Sequence, residues 1–344
     1  MGRDGLARAL PRLWFRKRFS PLLFPLLPLS WLFGGLAAIR RHLYRRGVLQ
    51  TISLPVPVVV VGNLTVGGSG KTPLTLWLAE RLRERGYRPG ILSRGYGGDG
   101  AIRQVFADSD PAQVGDEPLL LARRSGVPVF VGRDRAAAGK ALLAAHPQCD
   151  VLVSDDGLQH YRLARCAEIA VFDRRGAGNG RLLPAGPLRE PVRRLAGVTA
   201  VVVNGGDSPI DPVVAPSFPM HLAGQRFVAL EDSRKTCSPA DLRDKRLYAA
   251  AGIGDPSRFF SQLAGLGLAF SEHPFPDHRP FDAEEVSFAR DGVLLMTEKD
   301  AVKCASLALP EAWVLPVEAE IGEASDGQRL LDVILEKLNG RAPA

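Results

Sequence analysis

The sequence predicts an α/β protein: a mostly parallel sheet with helices on both faces, a second smaller α/β lobe, and an N-terminal helical arm associated with a membrane. Three observations lead there. From residue 51 onward, short β-branched runs alternate with helical stretches. A glycine-rich turn joins the first of those strands to the first of those helices. Residues 1–50 hold the excess positive charge of the chain, arranged around an uncharged apolar stretch.

The arm comes first. Ten Lys/Arg residues against the single acid Asp4 give residues 1–50 a charge of +9, so a chain of net +7 is left with about −2 over residues 51–344. The body therefore lacks the basic field that nucleic acid would require, and no nucleic-acid partner is expected. Residues 21–39 are free of charge and lie between Arg16-Lys17-Arg18 and a basic run that begins at Arg40. A cleaved signal peptide fits poorly, because basic residues follow the apolar stretch at once. A spanning helix needs about 20 apolar residues, and Pro21, Pro25 and Pro28 interrupt its first half. A buried hairpin is a third reading. The best fit is an interfacial anchor, with Trp14, Phe15, Phe24, Trp31 and Phe33 among the headgroups and arginines on anionic phosphates.

Strands are expected at 56–61, 90–93, 127–131, 151–153, 169–172 and 198–203, and helices at 71–85, 117–124 and 133–145. Near-continuous apolar strands of this kind belong in a sheet covered on both faces. Residues 205–240 are rich in Pro, Asp and Ser and suggest a connector. Strands near 246–251, 293–296 and 313–317, with helices near 256–266, 283–290 and 327–338, form the second set. The expected division is an arm (1–50), a first domain (51–210), a hinge (211–240) and a second lobe (241–344). The four cysteines have no metal-ligand spacing and fit a reducing compartment.

The strongest motif is VVVVGNLTVGGSGKT at 58–72. Backbone N–H groups of Thr65, Val66, Gly67, Gly68, Ser69 and Gly70 can wrap phosphate, Lys71 can reach the β/γ-phosphates, and the Thr72 hydroxyl can ligate Mg²⁺. This makes the expected fold P-loop NTPase-like. Thr65 departs from the usual pattern, which has glycine there. VLVSDDGLQH at 151–160 ends a buried strand on Asp155 and Asp156, which are either the magnesium-side acids or a turn before Gly157. In VGDEP, at 114–118, Asp116 is either a helix N-cap or the base for an acceptor hydroxyl, and both can hold. In PFPDHRPF, at 274–281, His278 is either a surface residue or a partner that tunes Asp116. The nearest string to a guanine-reading [NT]KxD element is Thr297-Glu298-Lys299-Asp300, where Lys and Asp adjoin, so ATP is the expected nucleotide.

Taken together, these segments resemble the tetraacyldisaccharide 4'-kinase family. The resemblance rests on the basic apolar N-terminus, VGNLTVGGSGKTP, LSRGYGG (92–98), VGDEP, SDDGLQH, DRRGAGNGRLLPAGPLREP (173–191), FPDHRPF and TEKDAVK (297–303), in one order over nearly the whole chain. Thr65 in place of glycine is itself similar to that family. The resemblance implies a two-lobed kinase on the cytoplasmic face of the bacterial inner membrane, acting as a monomer. Its cofactors would be ATP and Mg²⁺, and its substrate a lipid-linked disaccharide. It further implies that Asp116 and His278 are the catalytic pair, beside Lys71. Asp155 and Asp156 would lie on the metal side, Arg94, Gly95 and Tyr96 near the acceptor, and Arg189 and Glu190 at the cleft. Arg279 stands where the family often has His. The rival readings are a nucleotide-driven switch docked on membranes and a kinase for a soluble metabolite, which would have little use for residues 1–50.

Overall fold

The computed structural model describes residues 10–16, 18–206, 215–277, 281–282, 284–304, 309 and 311–340. Its centre is a nine-stranded sheet in the order β15-β8-β7-β6-β1-β5-β2-β4-β3. These strands are β1 (Val58–Gly62), β2 (Pro89–Ser93), β3 (Arg103–Val105), β4 (Val129–Val131), β5 (Val151–Asp155), β6 (Ala167–Asp173), β7 (Ala200–Asn204), β8 (Ser217–Ala223) and β15 (Glu318–Ile321). Only β3 and β15, the two edges, run antiparallel to their neighbours. β1 lies between β5 and β6, and Val61 pairs with Asp155. That register brings the carboxyl ends of β1 and β5 together, where an open α/β sheet binds its ligand.

Helices cover both faces because the strands are apolar on both. The helix α2 (Lys71–Glu84) buries Leu74, Leu78 and Leu82, one per turn, against Val59, Val61 and Val153. On the other face α4 (Arg135–Ala145) buries Leu142 beside Val60, Leu92 and Leu152. α3 (Asp116–Ser125) places Leu119 and Leu121 against Ile91 and Val131.

A six-stranded sheet forms the second lobe, in the order β10-β9-β14-β13-β11-β12. Its strands are β9 (Phe227–Ala229), β10 (Thr236–Cys237), β11 (Leu247–Ala251), β12 (Phe270–Pro274), β13 (Val293–Thr297) and β14 (Ala312–Leu315). α5 (Pro256–Gly265) packs Phe259, Phe260 and Leu263 on one face. α6 (Glu298–Cys304) packs Ala301 and Cys304 on the other.

The expected division at 211–240 and 241–344 is corrected in two places. β8 joins the first sheet rather than forming a hinge, because Phe218 and Met220 alternate inward beneath exposed Ser217 and Pro219. Its Pro- and Ser-containing surface is what suggests a linker. The chain then returns to the first sheet at its end: β15 pairs with β8, and α7 (Ala324–Asn339) buries Leu330, Leu331, Ile334 and Leu338 against the α2 face. The helix expected at 283–290 is only a 3₁₀ turn at Ser287–Ala289.

The arm contains a 3₁₀ turn, Pro21–Leu26, followed by α1 (Leu27–Arg45). Residues Pro21–Arg45 are long and apolar enough to cross a membrane by length and composition. Pro21 and Pro28 fall in the first turns of the 3₁₀ helix and of α1, where a missing N–H costs little, and Pro25 lies inside the 3₁₀ helix. One side of the arm lies on the body: Ser30 Oγ donates to Leu182 O at 2.8 Å and Leu23 is buried. The other side exposes Leu22, Phe24, Leu29, Trp31, Leu32, Leu36 and Ile39. Trp14 and Phe15 do not share that face. Trp14 Nε1 donates to Pro184 O, and Phe15 lies 4.1 Å under the Arg175 guanidinium, so both serve docking on the body.

Because α7 completes the first core, Leu330→Ala should cost about 2–5 kcal/mol. Hydrogen exchange should then rise in β6, β7 and β8 before it rises in β11 and β13.

Candidate active site

The loop after β1 is tied down on both sides. Val66 N donates to Pro187 O at 2.9 Å and Arg189 N donates to Leu64 O at 2.6 Å, with Thr65 bridging Leu188. Thr65 is thus part of a short extended pairing, so this position has no need of glycine. Asn63 Nδ2 donates to Gly67 O, and Gln159 Nε2 donates to Asn63 O. At the far end Asn204, the last residue of β7, donates to Ser69 O at 3.1 Å. Gly70 then enters α2 with φ 95°, and a Cβ there would lie 2.4 Å from Asn204 Nδ2 and 3.0 Å from Met220. Gly68, Ser69, Gly70, Lys71 and Thr72 line a cavity of about 500 Å³ between the two sheets. Bare N–H groups at the start of a helix make this an anion site.

Asp155 and Asp156 stand beside that helix start and behave differently. Asp155 is fully buried and accepts from Thr75 Oγ1 at 3.3 Å, while its Oδ2 has no hydrogen-bond partner among the described residues. Burial, and then the nearby Glu117 carboxylate, push its pKa up to about 7 against the pull of Lys71. Asp156 takes the left-handed φ of 49°. Its carboxylate faces Lys71 Nζ at 3.7 Å and Arg189 Nη1 at 3.1 Å, and its carbonyl accepts from Arg135 Nη2. Burial alone would raise the Asp156 pKa, but Lys71, Arg189 and Arg135 outweigh it and keep the group low. Next to it, His160 is driven down to about 4, first by burial and then by Arg135, and is neutral at physiological pH.

Across the cavity stands the start of α3. Gly115, with φ 88°, is its N-cap, so Asp116 is the first helical residue and not the cap expected from sequence. The segment bearing Arg94, Gly95 and Tyr96 packs on this turn: a Cβ at Gly115 would lie 2.4 Å from Tyr96 O. Tyr96 is exposed, and the Arg94 charge reaches Arg135. Glu117 lines the cavity and pairs with Lys299, which also pairs with Asp277. His278 lies outside the described residues, as does Arg279.

The two members of the Arg189-Glu190 pair diverge. Arg189 turns toward Asp156 and Gln159, whereas Glu190 is buried, accepts from the Tyr161 hydroxyl and lies 3.9 Å from Arg194. Glu190 also lines a cavity of about 380 Å³ between α1 and residues 180–193, together with Trp31, Arg41 and Arg181.

A family model described as Tetraacyldisaccharide-1-P 4'-kinase matches residues 22–338. The chain belongs to this family. Among its curated relatives, the tetraacyldisaccharide 4'-kinase of Dechloromonas aromatica (strain RCB) is 58% identical over 342 residues, covering 98% of this chain and 100% of that one. The tetraacyldisaccharide 4'-kinase of Azoarcus sp. (strain BH72) is 53% identical over 343 residues, covering 99% of this chain and 98% of that one. The fold is similar to that of LpxK from Aquifex aeolicus, solved in complex with ATP, with a TM-score of 0.75 at 29% identity over 92% of this chain and 99% of that one. Members of the tetraacyldisaccharide 4'-kinase family are lipid kinases, and this chain is one.

Several residues that shape this kinase site escape a motif reading. Asn204 secures the loop from a strand that reads only as buried β, although a polar residue ending the run AVVVN is a usable signal. Arg135 braces Asp156, Gln159 braces Asn63 and Arg189, and Lys299 comes from the other lobe. Those contacts depend on tertiary placement.

Gly70→Ala joins a strained φ to a clash with Asn204. A non-glycine residue in such a conformation costs about 1–3 kcal/mol, so MgATP affinity, measured by calorimetry, should fall at least about tenfold.

Proposed function

We propose that this kinase transfers the terminal phosphoryl group of ATP to the 4'-hydroxyl of a tetraacyldisaccharide 1-phosphate, a step of lipid A synthesis, at the cleft between its two sheets. The observation that carries the reading is that the phosphate loop and Glu117 at the start of α3 line one cavity, while Lys71 on its wall faces Asp156 at 3.7 Å. In-line transfer needs little covalent help from the protein beyond positioning and charge.

In this reading the N–H groups of residues 65–72 hold the polyphosphate and Lys71 offsets charge on the transferred group. Thr72 and Asp155 hold Mg²⁺; the unpartnered, buried Oδ2 of Asp155 suits a hard cation that takes one or two carboxylates and fills its shell with phosphates and water. When bound, the ion would supply positive charge that offsets the phosphates. Asp156, already engaged by Lys71 and Arg189, positions the lysine rather than the metal. Asp116 accepts the proton of the sugar hydroxyl, which is a poor nucleophile at neutral pH, and His278 is its assigned partner. Arg94, Gly95 and Tyr96 border the acceptor beside Asp116, with Arg189 on the side of Asp156; Glu190, turned toward Tyr161 and Arg194, has no part at this cleft.

The exposed apolar side of the arm supports residence on the cytoplasmic face of the inner membrane, held there by residues 1–50. The enzyme must meet its acceptor at the bilayer, since withdrawing acyl chains costs about 0.8 kcal/mol per CH₂. One chain supplies every element of the cleft, which supports action as a monomer.

The test is transfer of ³²P from ATP to a tetraacyldisaccharide 1-phosphate in mixed micelles, with Lys71→Ala as the dead control. Asp116→Ala should lose about 10²–10⁴ in kcat while still binding MgATP; near-normal transfer by that variant would sink the base assignment. Replacing Leu29, Leu32 and Leu36 together with Ser should release the protein from anionic vesicles. It should also raise KM for the lipid without changing MgATP affinity.

A further inference from the structure

The TEKDAVK segment has no task in the chemistry above, yet it is where the two lobes are fastened. Lys299, on α6 of the second lobe, places Nζ 3.1 Å from Glu117 Oε1 on α3 of the first lobe. The same nitrogen lies 2.9 Å from Asp277 Oδ1, in the segment after β12. Its side chain is only 14% exposed. Burial alone would lower the Lys299 pKa, but Glu117 and Asp277 outweigh it and hold the ammonium charged above its ordinary range. The preceding residue, Glu298, pairs with Arg124 near the other end of α3 and accepts from Val317 N at 3.0 Å. Consecutive residues of α6 thus grip the first and last turns of the helix whose first residue is Asp116.

α6 is itself fixed. Asp300, fully buried, accepts from Gly252 N at 2.9 Å and Thr297 Oγ1 at 2.6 Å, and Lys303 pairs with it at 2.9 Å. The loop so held reaches the phosphate loop: a Cβ at Gly254 would lie 2.7 Å from Gly68 N. A rigid path therefore runs from the phosphate loop through residues 252–255 and α6 to the start of α3.

We propose that Lys299 is a positioning residue for phosphoryl transfer: by bridging Glu117 and Asp277 it locks the Asp116 end of α3 at a fixed distance from the phosphate loop. This rests on Asp116 being the base. Apolar packing could glue two lobes together without the desolvation that a half-buried ammonium suffers. A cation adds what packing lacks, since two carboxylates from different lobes share one partner only when the lobes stand in one register. It also removes negative charge from beside the site that must receive a polyphosphate.

The experiment uses the full chain in mixed micelles with ATP and a tetraacyldisaccharide 1-phosphate, comparing Lys299→Met, Lys299→Arg, Glu117→Gln and the Lys299→Met/Glu117→Gln double variant. Misplacing a reacting group by about 1 Å costs on the order of 100-fold, so Lys299→Met should lower kcat by about that factor with MgATP Kd little changed. Lys299→Arg keeps the charge and should recover most of the rate. The double variant should be no slower than Lys299→Met, because both changes break one coupling. A kcat for Lys299→Met within about twofold of the parent, well inside the loss expected from misplacement, overturns the proposal. So does a rise in MgATP Kd that matches the loss of rate, which would make Lys299 a nucleotide ligand. Equal losses in the Met and Arg variants, tracking a lowered Tm, overturn it in favour of a structural role. Should Lys299→Met fail to fold, Glu117→Gln carries the test: a slower kcat is expected, and an unchanged one overturns the idea. Asp116→Ala separates the two readings. If it transfers normally, the base assignment itself falls; if it is dead while Lys299→Met is active, only the positioning role falls.

Discussion

The parallel register of β1 and β5 is the constraint from which the rest of the site follows. With Val61 opposite Asp155, the chain leaves both strands at the same edge, so an anion-binding helix start and two carboxylates must share one small volume. Phosphate and carboxylate repel, and the fold resolves the conflict by treating the two acids differently. Asp156 receives Lys71, Arg189 and Arg135 as neighbours and stays a carboxylate. Asp155 receives only Thr75 and the more distant pull of Lys71, which burial and Glu117 outweigh, and one buried oxygen has no partner among the described residues. Lys71, at 3.7 Å, is already aimed by Asp156.

Much of this was legible in the chain. The central strands Val58–Gly62, Val151–Asp155 and Ala200–Asn204 are short Val-rich apolar runs, and the glycines at 67, 68 and 70 sit where a strand becomes a helix. Of the motif segments, the phosphate loop and Glu117 of VGDEP line one cavity, Glu190 turns away from it, and His278 is outside the described residues. What sequence hid has identifiable causes. β8 carries Pro219 and alternates exposed with buried residues, so it resembles a linker until β7 and β15 are seen on either side. The return of α7 to the first core shows in no local pattern, since an amphipathic helix does not say which sheet it will cover. Thr65 looked like a defect in the phosphate loop and is the residue that pairs the loop to Leu188.

The arm and the second lobe impose boundary conditions on opposite sides of the loop. On the side of the arm, Arg40 donates to Gln159 O and Tyr44 lies 6.0 Å from Tyr161, while the Gln159 side chain supports Asn63 at the head of the loop. On the other side, Gly254 and the α6 clamp press toward Gly68. The loop is therefore set between the arm and a lobe that carries its own core. A kinase for a soluble sugar could leave its acceptor side open to solvent. In this chain short polar contacts instead tie α1 to the loop through Gln159, so the arm and the phosphate loop hold one geometry.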